Sequence, residues 1–298
     1  MKEKKVTIII PTYNRAQSIT KAIKSVLNQT YQNIEVLVVD DGSTDNTEDI
    51  VKKIIKQDNR LKYISQINQG APTARNTGIK YAQGDYIAFN DSDDTWEPQK
   101  LIKQVDILNK DLADVVFCKL KFTDAKNKIN LIPKNQEEGI IINNLMGIGT
   151  QTLIGKRKVF REFSFDPIMP RFQDLELLLR ITKKYRLYCL NEGLVNYTVN
   201  SDSISNNVSH LLKANKLILT KFPTLLKDWP MVAKGIQNVT FAAGKHSINI
   251  GDFETAKKCF QESILFEPNL YKKLLKKSRN YGLIIGAPLI KKFYLDRR

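Results

Sequence analysis

Two kinds of apolar spacing alternate along the first hundred residues. Val6 to Ile10 is an unbroken β-branched run ending in Pro11-Thr12-Tyr13-Asn14, the pattern of a strand buried on both faces that delivers the chain into a polar loop. Ser18 then opens a segment in which Ile19, Ala22, Ile23, Val26 and Leu27 recur at helical spacing, so a helix capped by Ser18 and running to about Asn28 is expected. Ile34 to Val39 is a second buried strand feeding Asp40-Asp41-Gly42-Ser43-Thr44-Asp45, with a helix starting near Thr47. The alternation continues with a strand at Lys62 to Ser65, a helix over Ala71 to Tyr81, a strand at Tyr86 to Phe89 and a helix from about Glu97. Strand alternating with helix implies a Rossmann-like, mostly parallel sheet with helices on both faces, and such sheets bind ligands at the carboxyl ends of their strands.

Beyond about residue 110 the order is mixed. A strand is expected at Val115 to Phe122, and an apolar stretch follows at Gly149 to Ile154. Leu175, Leu178, Leu179 and Thr182 predict a helix from about Asp174 to Tyr185. Past Ser209 the chain reads as helical, with Ala233 to Asn249 and Phe253 to Phe266 split by Gly251-Asp252 and the second helix stopped by Pro268. That pair resembles one tetratricopeptide unit, too little to stack into a solenoid.

Composition narrows the class of protein. The chain has 298 residues, 42% of them hydrophobic, enough for a sizeable core. The apolar run after the basic start stops at Pro11, and no later stretch reaches the ~20 apolar residues of a bilayer span, so neither a signal peptide nor a transmembrane helix is expected. Cys118, Cys189 and Cys259 have no metal-like spacing, which favours a reducing cytoplasm. The net charge of +16 draws polyanions, but from Tyr271 to the C-terminus Lys and Arg outnumber a single acid, Asp296, so the excess is concentrated in a tail. Lys272-Lys273, Lys276-Lys277, Leu283-Ile284-Ile285 and Lys291-Lys292-Phe293-Tyr294 suit an interfacial segment on an anionic membrane, peripheral at its inner face; a solvated helical cap fits the same pattern.

Asp91-Ser92-Asp93-Asp94 is the sharpest chemical feature, because carboxylates this close repel unless a cation or a helix N-terminus compensates them. A hard divalent cation, Mn²⁺ or Mg²⁺, shared with substrate phosphates would do so. In chain order, Ile8-Ile9-Ile10-Pro11-Thr12-Tyr13-Asn14-Arg15, Asp40-Asp41-Gly42-Ser43-Thr44-Asp45, Ala74-Arg75-Asn76-Thr77-Gly78 and Asp91-Ser92-Asp93-Asp94 resemble glycosyltransferase family 2. The resemblance covers about residues 4 to 205 and implies the A-type nucleotide-diphospho-sugar transferase fold with inverting chemistry. It implies a catalytic domain over 1–208, with a donor half to about 110 and an acceptor half from about 111, followed by a helical region over 209–298. Carried over by residue, it places Thr12 and Tyr13 beside the nucleobase, Asp41 on a ring N–H, Arg75 near the base or diphosphate, Asp91 at the ribose and cation, and Asp93 as principal metal ligand.

Inverting transfer needs a base for the acceptor hydroxyl. Gln173-Asp174-Leu175-Glu176 through Arg180 resembles the element that supplies it, with Asp174 in the base position and Glu176 in reserve. Gln173 departs from the family, where an acid is common, and Tyr197-Thr198-Val199-Asn200 lacks the Arg and His of many relatives; His210 reads as structural. The expected donor is a nucleotide-diphospho-sugar, with a UDP-sugar favoured, and the acceptor a saccharide or a lipid-linked or protein-linked glycan. A nucleotidyltransferase should show a Gly-rich first loop, where Pro11-Thr12-Tyr13-Asn14 stands instead. A nucleic-acid-binding protein would present acidic loops to a phosphate backbone, so no nucleic-acid partner is expected. Processive synthases carry a Gln-x-x-Arg-Trp element absent here, which favours single-sugar addition.

Overall fold

Every residue of strand β1 (Val6–Thr12) and strand β2 (Ile34–Asp40) is buried, as continuous apolar runs demand when both faces of a sheet are covered. The computed structural model describes residues 3–123, 128–134, 136–141, 144–198 and 207–266. The chain divides into two units, Met1–Ser201 and Asp202–Arg298.

In the first unit β1 lies between β2 and β4 (Tyr86–Phe89), with β3 (Leu61–Ser65) outside β2, all parallel. Helices α1 (Ile19–Leu27), α2 (Thr47–Ile55) and α3 (Ala71–Tyr81) connect them. Ile8 and Ile10 share a cluster with Ile19, Ile23 and Val26 of α1. Ile9 points the other way, where a Cβ on Gly78 of α3 would run into its side chain, so helices cover both faces. Ser18 precedes α1, but its hydroxyl makes no capping bond. The Lys21 N–H, a donor that such a cap would serve, goes instead to the Ser18 carbonyl at 3.0 Å, and the buried hydroxyl has no partner.

The rest of this unit completes a mixed sheet. Strand β5 (Thr95–Trp96) precedes α4 (Lys100–Asn109), and β6 (Val115–Thr123) is followed by β7 (Ile129–Ile132) and β8 (Gly139–Ile141). A 3₁₀ turn at Thr150–Thr152 leads into β9 (Leu153–Lys156), then α5 (Arg157–Glu162), α6 (Gln173–Ile181) and β10 (Leu187–Asn196). The order is β3-β2-β1-β4-β9-β6-β10-β5, with β7 on β6 and β8 on β10. β6 and β10 are parallel, whereas β9 runs antiparallel between β4 and β6. Helix α4 starts at Lys100 rather than Glu97. Thr95 and Trp96 pair with Asn196 and Val195, the Glu97 N–H bonds Leu194, and Pro98 disfavours a helical residue before it.

The second unit contains α7 (Val208–Lys221), α8 (Leu225–Asp228), α9 (Pro230–Asn249) and α10 (Phe253–Phe266). Asn207 caps α7 by accepting the His210 N–H at 3.1 Å. Gly251, at φ +80°, turns α9 into α10, and Gly244 lets α10 approach closely, since a Cβ there would sit 2.9 Å from the Phe260 ring. No helix among the described residues is long and apolar enough to cross a membrane. Pro268 and the basic tail lie outside the described residues, as do Val199 and Asn200.

Candidate active site

Strand register brings four loops to one rim. Thr12 pairs with Asp40, Asp40 with Ser65, and Ile9 with Phe89, so β1 to β4 release their loops at the same edge of the sheet. The first two loops are laced together: the Asn14 N–H donates to Ser43 Oγ at 2.8 Å, the Thr44 N–H to Asn14 Oδ1 at 2.8 Å, and the Arg15 N–H to Thr47 Oγ1 at 2.9 Å. Asp40 turns inward to accept from the Ser43 N–H and the Tyr63 hydroxyl. Asp41 shapes the third loop. Its carboxylate accepts from Gln66 Nε2 at 2.8 Å and from the backbone N–H groups of Gln69 at 2.9 Å and Gly70 at 2.7 Å, at the head of α3. Gly42 sits at φ +80° with Asn68 N 3.1 Å from where a Cβ would stand, which accounts for glycine after the acidic pair. Thr12 is buried with its hydroxyl unpartnered, while Tyr13 on the rim is 46% exposed.

The Ala74-Arg75-Asn76-Thr77-Gly78 segment acts as a clamp. Gly78 admits Ile9, and Asn76 reads the backbone of Phe165 from both sides, donating to its carbonyl at 2.8 Å and accepting its N–H at 2.9 Å. Arg75 is buried. Its Nη2 donates to Asp91 Oδ1 at 2.8 Å, its Nη1 to Gln173 Oε1 at 3.1 Å, and its guanidinium lies 5.4 Å from the centroid of the Phe165 ring.

The acidic tetrapeptide after β4 splits into different environments. Asp94 is driven inward, where its carboxyl accepts from Gln151 Nε2 and from the Thr198 N–H, each at 2.9 Å. Burial, with Asp91 and then Asp93 adding like charge, pushes its pKa up to about 8. Asp91 and Asp93 stay partly exposed. Spacing alone could not separate Asp94 from its neighbours, because Gln151 and Thr198 lie far away in sequence.

Asp174 stands in the first turn of α6, after Phe172 enters a left-handed conformation at φ 58°. Burial raises its pKa to about 6; Arg75 pulls it down and Asp91 pushes it up, so both lie within electrostatic reach. Burial lowers the Arg171 pKa, and the nearby Asp174 opposes that shift. The structure thus brings Arg75, Asp91 and Asp174 into one electrostatic neighbourhood, beside the loops that carry Thr12, Tyr13, Asp41 and Asp93. Glu176 has no exposed side-chain surface and is held by Arg180 through bonds of 2.9 and 2.7 Å. A carboxylate buried in that way cannot meet an acceptor. Gln173, Gln151 and Asn76 are the site residues that sequence reading did not assign. Gln173 gave a signal, as an amide where an acid is common, and Asn76 stood in the Arg75 motif without a role of its own, whereas Gln151 gave none.

The sequence profile described as Glycosyl transferase family 2 matches residues 7–168. The chain is 34% identical to the UDP-Glc:alpha-D-GlcNAc-diphosphoundecaprenol beta-1,3-glucosyltransferase WfgD of Escherichia coli over 78% of this chain and 87% of that one. It is also 34% identical to TuaG of Bacillus subtilis, a glycosyltransferase provisionally assigned to teichuronic acid biosynthesis, over 68% of this chain and 82% of that one. It spans only 35% of a longer glycosyltransferase of Rickettsia conorii that it matches at 31% identity. Among solved structures, S. aureus TarS with UDP-GlcNAc superposes with a TM-score of 0.60 at 18% identity, over 90% of this chain and 92% of that one. The mannosyltransferase PcManGT of Pyrobaculum calidifontis, with GDP-Man and Mn²⁺, gives 0.58 at 16% identity over 92% and 88%. These two likenesses establish a shared fold.

Proposed function

The chain belongs to glycosyltransferase family 2, and on that premise we propose that it moves one sugar from a nucleotide-diphosphate donor to an acceptor hydroxyl with inversion, Asp174 acting as the base. The observation that carries this reading is the Arg75 guanidinium, which bonds Asp91 of the donor loop at 2.8 Å and Gln173, the neighbour of Asp174, at 3.1 Å. A general base works best with a pKa near the operating pH, and burial has brought Asp174 toward that range. Asp174 takes the acceptor proton as the acceptor oxygen bonds to the anomeric carbon; the bond from that carbon to the diphosphate oxygen breaks on the opposite face, and the nucleoside diphosphate leaves with the electron pair.

On the donor side, Thr12 and exposed Tyr13 border the nucleobase, and Asp41 fixes the loop that holds it. The name of WfgD supports a UDP-sugar as donor. Mn²⁺ or Mg²⁺ fits the donor set at Asp91 and Asp93. Their oxygens are hard ligands and their charges crowd Asp94, and a divalent cation shares its sphere between one or two carboxylates and substrate phosphates. When bound there, the cation would supply positive charge to the departing diphosphate. The names of WfgD and TuaG support an acceptor in cell-surface polysaccharide assembly, with a lipid-linked saccharide as the leading form. The basic tail after Tyr271 would hold the enzyme at the anionic inner face of the membrane, beside such an acceptor.

A panel of nucleotide sugars scored for hydrolysis, with Mn²⁺, with Mg²⁺ and with EDTA, tests the reading. Turnover of one donor that EDTA and Asp93→Ala each abolish is expected; purified chain that ignores every activated sugar would sink it. Cosedimentation of the full chain and a chain ending at Asn280 with anionic liposomes tests the tail, and equal binding by the two would remove that role.

A further inference from the structure

Arg75 joins two segments that are far apart in sequence. One arm of its guanidinium holds Asp91 in the loop after β4, and the other holds Gln173 at the start of α6, one residue before Asp174. We propose that Gln173 is a positioning residue that couples the donor-side carboxylate Asp91 to the acceptor-side carboxylate Asp174 through Arg75. The proposal rests on the transferase reading and assigns a role to an amide which that reading leaves idle.

The chemistry of the side chain is the first argument. Gln173 Oε1 accepts from Arg75 Nη1 at 3.1 Å, while its Nε2 donates to the Met169 carbonyl at 3.2 Å. Glutamate could accept from the guanidinium but not donate to the carbonyl, and alanine could do neither. The amide therefore spans cation and carbonyl while adding no charge.

The second argument is what the amide holds. The segment from Ser164 to Phe172 is pinned at its near end by Asn76 on Phe165 and by Arg180 Nη2 on the Ser164 carbonyl at 2.7 Å. Gln173 closes the far end through Met169, just before the left-handed Phe172 that aims α6. Ile168, between these fastenings, is 65% exposed. Without the Gln173 bonds, Arg75 would keep Asp91, but Asp174 would lose the one described hydrogen-bond bridge from the residue beside it to the donor loop.

Such a latch acts on transfer and not on donor capture. With Gln173→Ala in the full chain, kcat for transfer is expected to fall about 10- to 100-fold while the donor KM stays within about twofold, the pattern of an interaction needed in the transition state. Gln173→Glu, which keeps the bond from Arg75 and has the same shape, is expected to recover part of the loss. An unchanged kcat in Gln173→Ala, or a donor KM rising in step with the fall in kcat, would overturn the proposal, as would a Glu variant no better than Ala. Amide hydrogen exchange supplies an arm that needs no turnover: Gln173→Ala should quicken exchange across residues 164–172 and leave β2 protected, and unchanged exchange there would also overturn it. Failure of the transferase reading is a separate result, seen as unmutated chain that hydrolyses no donor.

Discussion

The two halves of the sheet unit solve the problem of placing carboxylates differently. In the half built on β1 to β4, the acidic loop after β2 follows a fully buried strand and is braced by bonds to the adjoining loops, so Asp40, Asp41 and Asp45 are satisfied mostly by backbone N–H groups of their own neighbourhood. In the half built on β5 to β10, the chemistry rests on contacts between segments remote in sequence: Arg75 with Gln173, Gln151 with Asp94, Asn76 with Phe165. The first arrangement yields a rim whose carboxylates are fastened by hydrogen bonds, which at Asp45 outweigh burial and hold the carboxyl below its ordinary pKa. The second yields carboxyls with raised pKa, because burial outruns the donors offered to them. A cation and an anionic donor suit the first; a base that must bind and release a proton suits the second.

The largest expected effect comes from removing the proposed base. Asp174→Asn keeps the shape of the side chain and one acceptor oxygen, so donor affinity measured by calorimetry should be unchanged while transfer falls about 10²- to 10⁴-fold. A loss of donor affinity equal to the loss of rate would erase the distinction between the halves.

Next in size is the inward carboxyl. Asp94→Leu leaves the Thr198 N–H and the Gln151 amide without their acceptor, and unfolding in urea should show a loss of about 2 kcal/mol or more. Asp94→Asn replaces a carboxyl that is mostly neutral at pH 7 and should cost less than about 1 kcal/mol. The sign with pH follows from the raised value. Folding favours the protonated form, so this group's contribution to stability declines as pH rises from the ordinary carboxyl range through about 8, and the Asn variant should lack that decline.

These two carboxyls also mark how far the sequence could be read. The β1 to β4 strands and their helices were legible because strands buried on both faces leave continuous apolar runs, and the helix over Ala71 to Tyr81 and the strand over Tyr86 to Phe89 agree with expectation residue for residue. β10 was not legible. Asn191-Glu192-Gly193 breaks its apolar pattern where the register with β6 shifts between Leu190 and Val195, and a bulge of this kind is set by the partner strand. β9 was legible as apolar but not as antiparallel; Gly155 there sits where a Cβ would press on Val115 and Phe160, a constraint that exists only once the strands have met. The same holds at the site. Local motifs marked Asp41, Asp91 and Asp93, whereas the partnerships of Asp94 and Gln173 are tertiary and leave no spacing to detect.

A smaller effect concerns the range of pH over which the acceptor half works. In the proposed role Asp174 must be ionised to take a proton, so with its pKa raised to about 6 transfer should be lost as pH falls through that value, about tenfold per unit below it. An ordinary aspartate would hold the rate to about pH 4. Donor hydrolysis and transfer measured side by side between pH 5 and 8 would separate the halves, and an acid limb near 4 would count against Asp174.

The smallest expected effect lies where the halves meet. Lys100, at the start of α4, has no exposed surface and no hydrogen-bond partner for its Nζ, which lies 3.7 Å from the centroid of the Trp96 ring in β5. Burial lowers its pKa to about 8, with Cys118 of β6 opposing the shift. The ring face returns part of the lost hydration, about 2 kcal/mol for a desolvated cation. Lys100→Met keeps the length and the contact with the ring and removes the charge, so a gain of about 1 kcal/mol is expected near neutral pH. The direction with pH is fixed. Below about 8 the ammonium is retained at full cost, and between about 8 and the ordinary lysine value the native form sheds its proton first, so wild-type stability from this group rises there. The advantage of the Met variant should therefore be largest at and below pH 7 and shrink as pH climbs toward 10. A variant less stable than wild type at pH 7 would mean that the ring holds the cation more strongly than burial resists it, and the seam between the halves would then owe its strength to a charge rather than tolerate one.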